Sequence, residues 1–240
     1  MPIEYVDGRR FRAVLIAASA RVRTARAELN RINVFPVPDG DTGTNLALTL
    51  ESIVDRMRAN RPTSFATAAA EAADAGIIGA RGNCGMILSH FLLGLAQQSG
   101  SRARLNVAEF AAALRGAVDH LYAALDSPTE GTIVTVIRET AEEATAVATA
   151  DFAVLTERLL HRARSALART PDLLPALRVA GVVDAGAKGF VHLLEGAAAC
   201  VRGEPVVGEA STDAAAGRGD AATLRPRPTP TGPPAAARAE

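Results

Sequence analysis

One stretch of this chain decides the fold prediction: Asn33–Asn45, which reads NVFPVPDGDTGTN. It holds two aspartates, two prolines and two glycines. The segments on either side, Arg9–Leu29 and Asn45–Ala59, carry apolar residues at the spacing of amphipathic helices. Pro and Gly interrupt helices, and Asp, Thr and Asn are common N-cap residues. The stretch is therefore predicted to be an acidic turn between two helices.

Three further glycine-bearing breaks follow, each placed just before a predicted helix. They are Gly79–Gly85 (GARGNCG), Asp126–Thr132 (DSPTEGT) and Asp184–Gly189 (DAGAKG). Four such helix starts are more than chain reversal requires. If they lie at one end of a helical bundle, their free N–H groups would form a site for a polyanion. Taken singly, GARGNCG is equally typical of a plain helix–helix turn.

The rest of the chain also shows helical periodicity. The further helices are predicted at Ser64–Gly76, Met86–Gln97, Asn106–Leu125, Ile133–Ala148, Phe152–Ala168 and Pro171–Val179, with a last one ending near Val201. The β-branched run Thr132–Ile137 is predicted to be helical, because a lone strand among helices has no partner. The fold class is therefore all-α, with eight or nine helices and no strand.

Composition excludes several classes of function. Lys+Arg and Asp+Glu number 26 each, and this zero net charge argues against a nucleic-acid-binding protein. The two cysteines, Cys84 and Cys200, lack CxxC spacing, which indicates a reducing compartment and no zinc site. The four histidines have no ligand-like spacing. With apolar residues at 48% and aromatic residues at 4%, the core is predicted to be aliphatic.

The two ends of the chain call for separate interpretations. Arg9–Val22 imitates a signal peptide, but its apolar run is short and the helical pattern continues to Leu29. No run approaches the roughly 18 apolar residues of a transmembrane helix, so a cytoplasmic location is predicted. Gly203–Glu240 is rich in proline and has no aromatic residue, which predicts a disordered tail or linker after a domain at residues 1–202.

The acidic turn has two interpretations. Asp39 and Asp41 flank Gly40, so their carboxylates can converge on one hard cation such as Mg²⁺. Gly43 allows a close backbone approach, and Thr44 opens a helix whose N–H groups favour phosphate. Taken alone, Asp-Gly-Asp is more typical of a turn with capping residues. No glutamate closes an EF-hand loop, and GxxxxGK[ST], GxGxxG, GxSxG and HExxH are absent.

Four motifs in order, NVFPVPDGDTGTN, GARGNCG, EGTIVTV and VVDAGAKG, resemble the nucleotide-binding domain of the DhaL family. The resemblance covers roughly Asp7 to Val201. It is strongest to the version in bacterial fatty acid kinase A, and the other branch is the ADP/ATP-binding L subunit of dihydroxyacetone kinase. The resemblance implies an antiparallel eight-helix barrel that binds ATP or ADP at one end, with two Mg²⁺ ions bridging the phosphates.

The resemblance also implies site residues. Asp39 and Asp41 match the metal-binding carboxylates, and Asn33 is the nearest match to a third ligand. The implied nucleotide-binding residues are Thr42, Gly43, Thr44, Asn45, Gly79, Ala80, Arg81, Gly82, Asn83, Thr132, Asp184 and Gly186. Cys84 stands where the family pattern has serine, and because a small side chain is kept, little effect is expected. No catalytic residue is identified beyond the metal ligands.

The function implied is a kinase domain that transfers the γ-phosphoryl group of ATP to a fatty acid or to dihydroxyacetone. No general base lies near the motif, so the acceptor is expected on a partner, either a fatty-acid-binding protein or a dihydroxyacetone-binding subunit. The alternative is a non-catalytic nucleotide-binding regulatory module, because fatty acid kinase A continues where this chain ends in a Pro/Ala tail. A purely structural helical bundle would bind no nucleotide. The oligomeric state is left open.

Overall fold

The computed structural model of this chain describes residues 1–205. Most of the predicted tail, residues 206–240, lies outside the described residues. The helices are α1 Gly8–Arg31, α2 Thr42–Asn60, α3 Phe65–Gly79, α4 Gly82–Ser99, α5 Val107–Ala124, α6 Ile133–Ala146, α7 Phe152–Ala168, α8 Thr170–Leu173, α9 Pro175–Ala180 and α10 Ala185–Val201. Two short strands, β1 Tyr5–Asp7 and β2 Arg104–Asn106, pair antiparallel.

The eight long helices form a closed ring. Each of α1 to α6 packs against the next helix in chain order, and α10 packs against both α7 and α1. Ring neighbours run in opposite directions: Glu28 near the end of α1 pairs with Lys188 at the start of α10, and Arg21 pairs with Glu195. This arrangement confirms the antiparallel eight-helix barrel. The two short helices, α8 and α9, fill the connection between α7 and α10.

Small residues and capping side chains shape the barrel. Asp7 caps α1 by accepting from the N–H of Arg10, and Asn106 forms a capping box with Glu109 at the start of α5. Gly196 of α10 lies so close to α1 that a Cβ there would stand 2.6 Å from the Cα of Ala18. The interior is mainly aliphatic, although five phenylalanines, Phe65 among them, are also buried in it. It retains an apolar cavity of about 380 Å³ among Leu15, Leu50 and other side chains.

The prediction that the chain has no strand is wrong. β1 pairs with β2 in the register Tyr5↔Asn106 and Val6↔Leu105. Each strand has three residues, and the two lie about a hundred positions apart, so neither carries a local periodic signal. The β-branched run Thr132–Ile137 is not a strand, since α6 begins at Ile133.

Helix boundaries near the glycine-bearing breaks also differ from the prediction. α2 begins at Thr42 instead of Asn45, and α4 begins at Gly82 instead of Met86. The sequence predicts these glycines outside the helices, but the entropic cost of glycine applies mainly to a helix interior, so Gly43 and Gly82 can occupy the first turn. The predicted helix at Pro171–Val179 is two helices, because Pro175 disfavours a helical conformation at Leu174.

The segment that imitates a signal peptide is the first part of α1, and its residues Leu15 and Val22 are buried in the core. Among residues 1–205, no helix combines the length and the apolar character that crossing a membrane requires.

Candidate functional site

The four glycine-bearing breaks lie at one end of the barrel. In an up-and-down ring, alternate helices begin at the same end, and here these are α2, α4, α6 and α10. Their first turns are in contact. A side chain on Gly82 would stand 2.7 Å from the Nδ2 atom of Asn45, and one on Gly186 would stand 3.4 Å from the Cβ atom of Ile133. The ring therefore brings the predicted site residues of all four breaks together, although they are distant in sequence.

Two of these four helix starts receive no capping hydrogen bond from their own N-cap residue. Thr132 caps α6 and Asp184 caps α10, whereas neither Asp41 before α2 nor Arg81 before α4 makes a capping hydrogen bond. Within residues 1–205, the N–H groups at the start of α4 (Gly82, Asn83 and Cys84) have no hydrogen-bond acceptor. Open N–H groups at the positive end of a helix dipole favour an anion such as phosphate.

The acidic turn is organised by the buried side chain of Asn33. Its Nδ2 atom donates to the carbonyl oxygen of Val37 at 2.7 Å and to Oδ1 of Asp39 at 3.0 Å. Its Oδ1 atom accepts from the hydroxyl of Thr42. Asp39 and Asp41 themselves are exposed. Asn33 thus orients Asp39 and joins the turn to α2, and its role as a metal ligand stays a prediction.

Asn30, which the motifs did not single out, fixes the start of α2. Its Oδ1 atom accepts from the N–H of Thr44 at 3.0 Å, and its Nδ2 atom donates to the Thr44 hydroxyl at 2.9 Å. Gly43 is buried against the backbone of α1. Asn30 lies at the end of a helical pattern, where an asparagine gives no sequence signal of such a contact.

Thr49 connects the second break to α2, and it too was missed. Its hydroxyl donates to the carbonyl oxygen of Asn45 at 2.9 Å and accepts from the N–H of Arg81 at 3.0 Å. The break itself consists only of Ala80 and Arg81, because Gly79 ends α3 and Gly82 begins α4. The side chains of Arg81 and Asn83 are exposed at the mouth of the site.

Asp184 is buried and joins two helix starts. Its carboxylate accepts from the N–H of Ala187 at 2.7 Å and also from the N–H groups of Ile133 and Gly186. Burial raises the pKa of Asp184 to about 6, although the three N–H donors act in the opposite direction. Within the protein, its side chain therefore fastens α6 to α10. A direct contact with nucleotide stays a prediction.

Cys84 occupies the centre of the four helix starts. Burial, together with the nearby carboxylates of Asp184 and Asp41, raises the pKa of its thiol to about 12. A side chain on Gly186 would overlap the Cys84 sulfur atom, so the two residues are in close contact. Cys84 is therefore a neutral thiol that packs between α4 and α10, and the small effect expected of the serine-to-cysteine difference stays a prediction.

The Asp184→Asn variant should respond differently to pH from the unmodified chain. Because the folded-state pKa is raised, this carboxyl stabilises the fold below about pH 4, and the contribution is lost as the pH rises through 6. The free energy of unfolding of the unmodified chain relative to the variant should therefore fall between pH 4 and 7, by on the order of 2–3 kcal/mol at most. Urea denaturation at several pH values measures it.

Asp151→Asn is the matched control for this experiment. Asp151 caps α7, but hydrogen bonds from the N–H groups of Ala153 and Ile3 lower its pKa, so its contribution is lost as the pH falls. The two variants should therefore show pH dependences of opposite sign. A flat difference for Asp184→Asn would contradict the burial of an ionisable group there.

Among the described residues, the exposed carboxylates of the acidic turn are those of Asp39 and Asp41. Within the described part of the chain, no three His, Cys, Asp or Glu side chains are grouped as metal ligands. Mg²⁺ is commonly held by one or two carboxylates, with phosphate oxygens and water completing six positions. The exposed pair Asp39 and Asp41, beside open helix N–H groups, fits that kind of site.

Comparison with known proteins agrees with this architecture. The DAK2 domain family matches residues 36–199. Protein YloV of Bacillus subtilis is 37% identical over 208 residues, which are 86% of this chain and 38% of that protein. An uncharacterized protein of Staphylococcus saprophyticus is 34% identical over 206 residues, or 85% of this chain and 37% of that protein. The chain thus spans less than two-fifths of the curated relatives it matches.

Among solved structures, the fold is similar to that of the dihydroxyacetone kinase from C. freundii. The structure of that enzyme in complex with AMP-PNP and Mg²⁺ gives a TM-score of 0.60 at 18% identity, covering 79% of this chain and 33% of the enzyme. Its native form gives a TM-score of 0.56 at 17% identity. The family match covers more than half of the chain. The chain therefore belongs to the DAK2 domain family, which confirms the DhaL-type domain indicated by its four motifs.

Proposed function

We propose that this chain is an ATP- and Mg²⁺-dependent phosphotransferase domain, which supplies the γ-phosphoryl group of ATP to an acceptor held by a partner protein. The observation that carries the proposal is that the open first turn of α4 lies at the same end of the barrel as two exposed carboxylates, Asp39 and Asp41. The solved relative from C. freundii was crystallised with AMP-PNP and Mg²⁺, which supports the same ligands here.

The residues divide the work in a simple way. Asp39 and Asp41 would hold Mg²⁺, and the ion would neutralise the negative charge that develops during phosphoryl transfer. The open N–H groups of Gly82, Asn83 and Cys84 would hold phosphate oxygens. Phosphoryl transfer depends mainly on positioning and electrostatic stabilisation, so a site with no nucleophile of its own is suited to it.

The surroundings of the site favour an acceptor that is carried by a partner protein. The residues gathered at the site include no histidine, and the carboxylate of Asp184 is occupied as a buried cap. Exposed apolar side chains lie on the helices and loops that lead into the site, and we call them the apolar rim. Its members are Val37, Leu48, Ile77, Ile78, Met86, Leu173 and Val179. Exposed apolar residues around one site indicate a surface that another protein covers.

The partner is expected to be a fatty-acid-binding protein or a dihydroxyacetone-binding subunit, with fatty acid or dihydroxyacetone as the acceptor. The carrier must bring its ligand to the Mg·ATP site, so it would cover the apolar rim. A cytoplasmic location stays a prediction.

Partner-dependent turnover is the expected result with purified components. The chain should bind Mg·ATP in calorimetry and release ADP slowly when alone. Addition of a ligand-loaded fatty-acid-binding protein or dihydroxyacetone-binding subunit should raise the rate by at least about tenfold, because the acceptor is then positioned for reaction. Rapid phosphorylation of free dihydroxyacetone or free fatty acid by the isolated chain would overturn the partner requirement. Tight Mg·ATP binding with no turnover would favour the regulatory module instead.

A further inference from the structure

A cluster of polar side chains lies beside the start of α6, outside the predicted site residues. At its centre is Glu130, in the loop between α5 and α6. Its Oε2 atom accepts from the Thr135 hydroxyl at 2.6 Å and from Nη2 of Arg138 at 3.2 Å. Its Oε1 atom accepts from the Tyr122 hydroxyl at 3.0 Å. One carboxylate thus binds side chains of both helices that flank the loop.

Thr135 connects the Glu130 carboxylate to the backbone of the site through hydrogen bonds. The N–H of Gly131 donates to the Thr135 hydroxyl oxygen at 2.8 Å, while the same hydroxyl donates to Glu130. Thr135 is 1% exposed, so no water replaces these bonds. The orientation of the Gly131 peptide is therefore set by Glu130 through one buried hydroxyl.

The loop conformation depends on this support. Gly131 has φ +84°, and a Cβ there would stand 2.9 Å from the Cβ of Leu173, so the backbone turns tightly against α8. Immediately after it, Thr132 caps α6 and donates to the carbonyl oxygen of Thr129 at 2.7 Å. Within residues 1–205, the N–H of Thr132 has no hydrogen-bond acceptor, which leaves it available at the site.

The charges in the cluster add little to folding. The side chains of Glu130 and Arg138 are 47% and 31% exposed, and exposed ion pairs of this kind stabilise proteins only weakly. Burial by itself would raise the pKa of Glu130, but the donors Thr135, Arg138 and Tyr122 hold it below the usual range. The carboxylate therefore stays an acceptor at neutral pH, and the network fixes geometry more than it adds stability.

We propose that Glu130 is a positioning residue, which acts through Thr135 to hold Gly131 and Thr132 where the start of α6 meets the nucleotide phosphates. The inference rests on the proposed function, and it extends the site to three side chains that do not touch the ligand: Glu130, Thr135 and Arg138. Without the network, the tight turn at Gly131 relaxes and the open N–H of Thr132 moves away from the phosphates.

The test compares Mg·ATP affinity, measured by calorimetry, in four variants. Glu130→Gln and Thr135→Val should each raise the dissociation constant about three- to tenfold. Thr135→Ser, which keeps the hydroxyl, should stay within about twofold of the unmodified chain. Glu142→Gln is the matched control, because Glu142 pairs with Arg138 through Nη1 but does not contact Glu130. It should leave the affinity unchanged.

Separate outcomes identify which idea fails. A merely structural role would lower the thermal midpoint of the nucleotide-free variants and leave the affinity of the folded fraction unchanged, which would overturn the inference. Glu130→Gln changes a half-exposed side chain and should fold even if Thr135→Val does not. If Asp41→Asn loses Mg·ATP binding while Glu130→Gln and Thr135→Val keep it, only the positioning inference is wrong. If the unmodified chain binds no Mg·ATP, the proposed function and this inference are both overturned.

Discussion

Replacing Asp41 by asparagine is expected to lower the affinity for Mg·ATP at least tenfold. Interactions with a charged group contribute on the order of 1.5–3 kcal/mol, and 1.4 kcal/mol corresponds to a factor of ten in affinity. Asp41 makes no capping hydrogen bond at the start of α2, so asparagine should leave the fold intact. Asp39→Asn should cause a similar loss. Calorimetric titration of each variant with ATP in excess Mg²⁺ measures the effect.

Magnesium removal provides a second arm of the same experiment. With the metal chelated, the unmodified chain should bind ATP no better than Asp41→Asn does, because both lack the contact between carboxylate and metal. The matched control is Asp119→Asn, which neutralises an exposed carboxylate paired with Arg115 on α5. Unchanged affinity in both Asp39→Asn and Asp41→Asn would show that the acidic turn is not the metal site.

The sequence predicted those parts of the fold that depend on local patterns. α7 spans Phe152–Ala168 as predicted, because Asp151 caps it and its apolar residues follow one stripe. α5 begins after Asn106 for a similar reason, with Glu109 completing a capping box. Where the signal depended on a distant partner, the prediction failed, as with the pairing of Tyr5 and Asn106 across the barrel end.

The candidate site divides in the same way. Asp39, Asp41 and the glycine-bearing breaks are visible in the sequence because turn residues cluster there. Asn30, Thr49 and Glu130 are not, since each is an ordinary polar residue whose role appears only when two helices meet. The predicted starts of α2 and α4 are also wrong, because the glycines place first-turn residues of both helices in the predicted loops. The sequence therefore indicates the candidate site residues, but it does not indicate the residues that support them.

Substitutions on the buried face of α2 should lower the free energy of unfolding much more than substitutions on its exposed face. Leu46 of α2 is 1% exposed and packs against Gly189 of α10, where a Cβ would overlap its Cδ2 atom. Leu46→Ala removes buried methyl groups and leaves a cavity, so the free energy of unfolding should fall by about 2–5 kcal/mol. Urea denaturation followed by circular dichroism measures this change.

Leu48 lies two residues further along the same helix and supplies the matched control. It is 43% exposed as part of the apolar rim, so Leu48→Ala should change the free energy of unfolding by less than about 0.5 kcal/mol. Its effect should appear instead in the partner assay, where half-maximal turnover should need about fivefold more partner, since a truncated interface anchor costs about 1 kcal/mol or more. Equal destabilisation by the two variants would mean that both faces of α2 are buried, and unchanged partner dependence in Leu48→Ala would remove this leucine from the docking surface. Because both variants make the same chemical change on one helix, any difference between them must come from which face of α2 the leucine occupies.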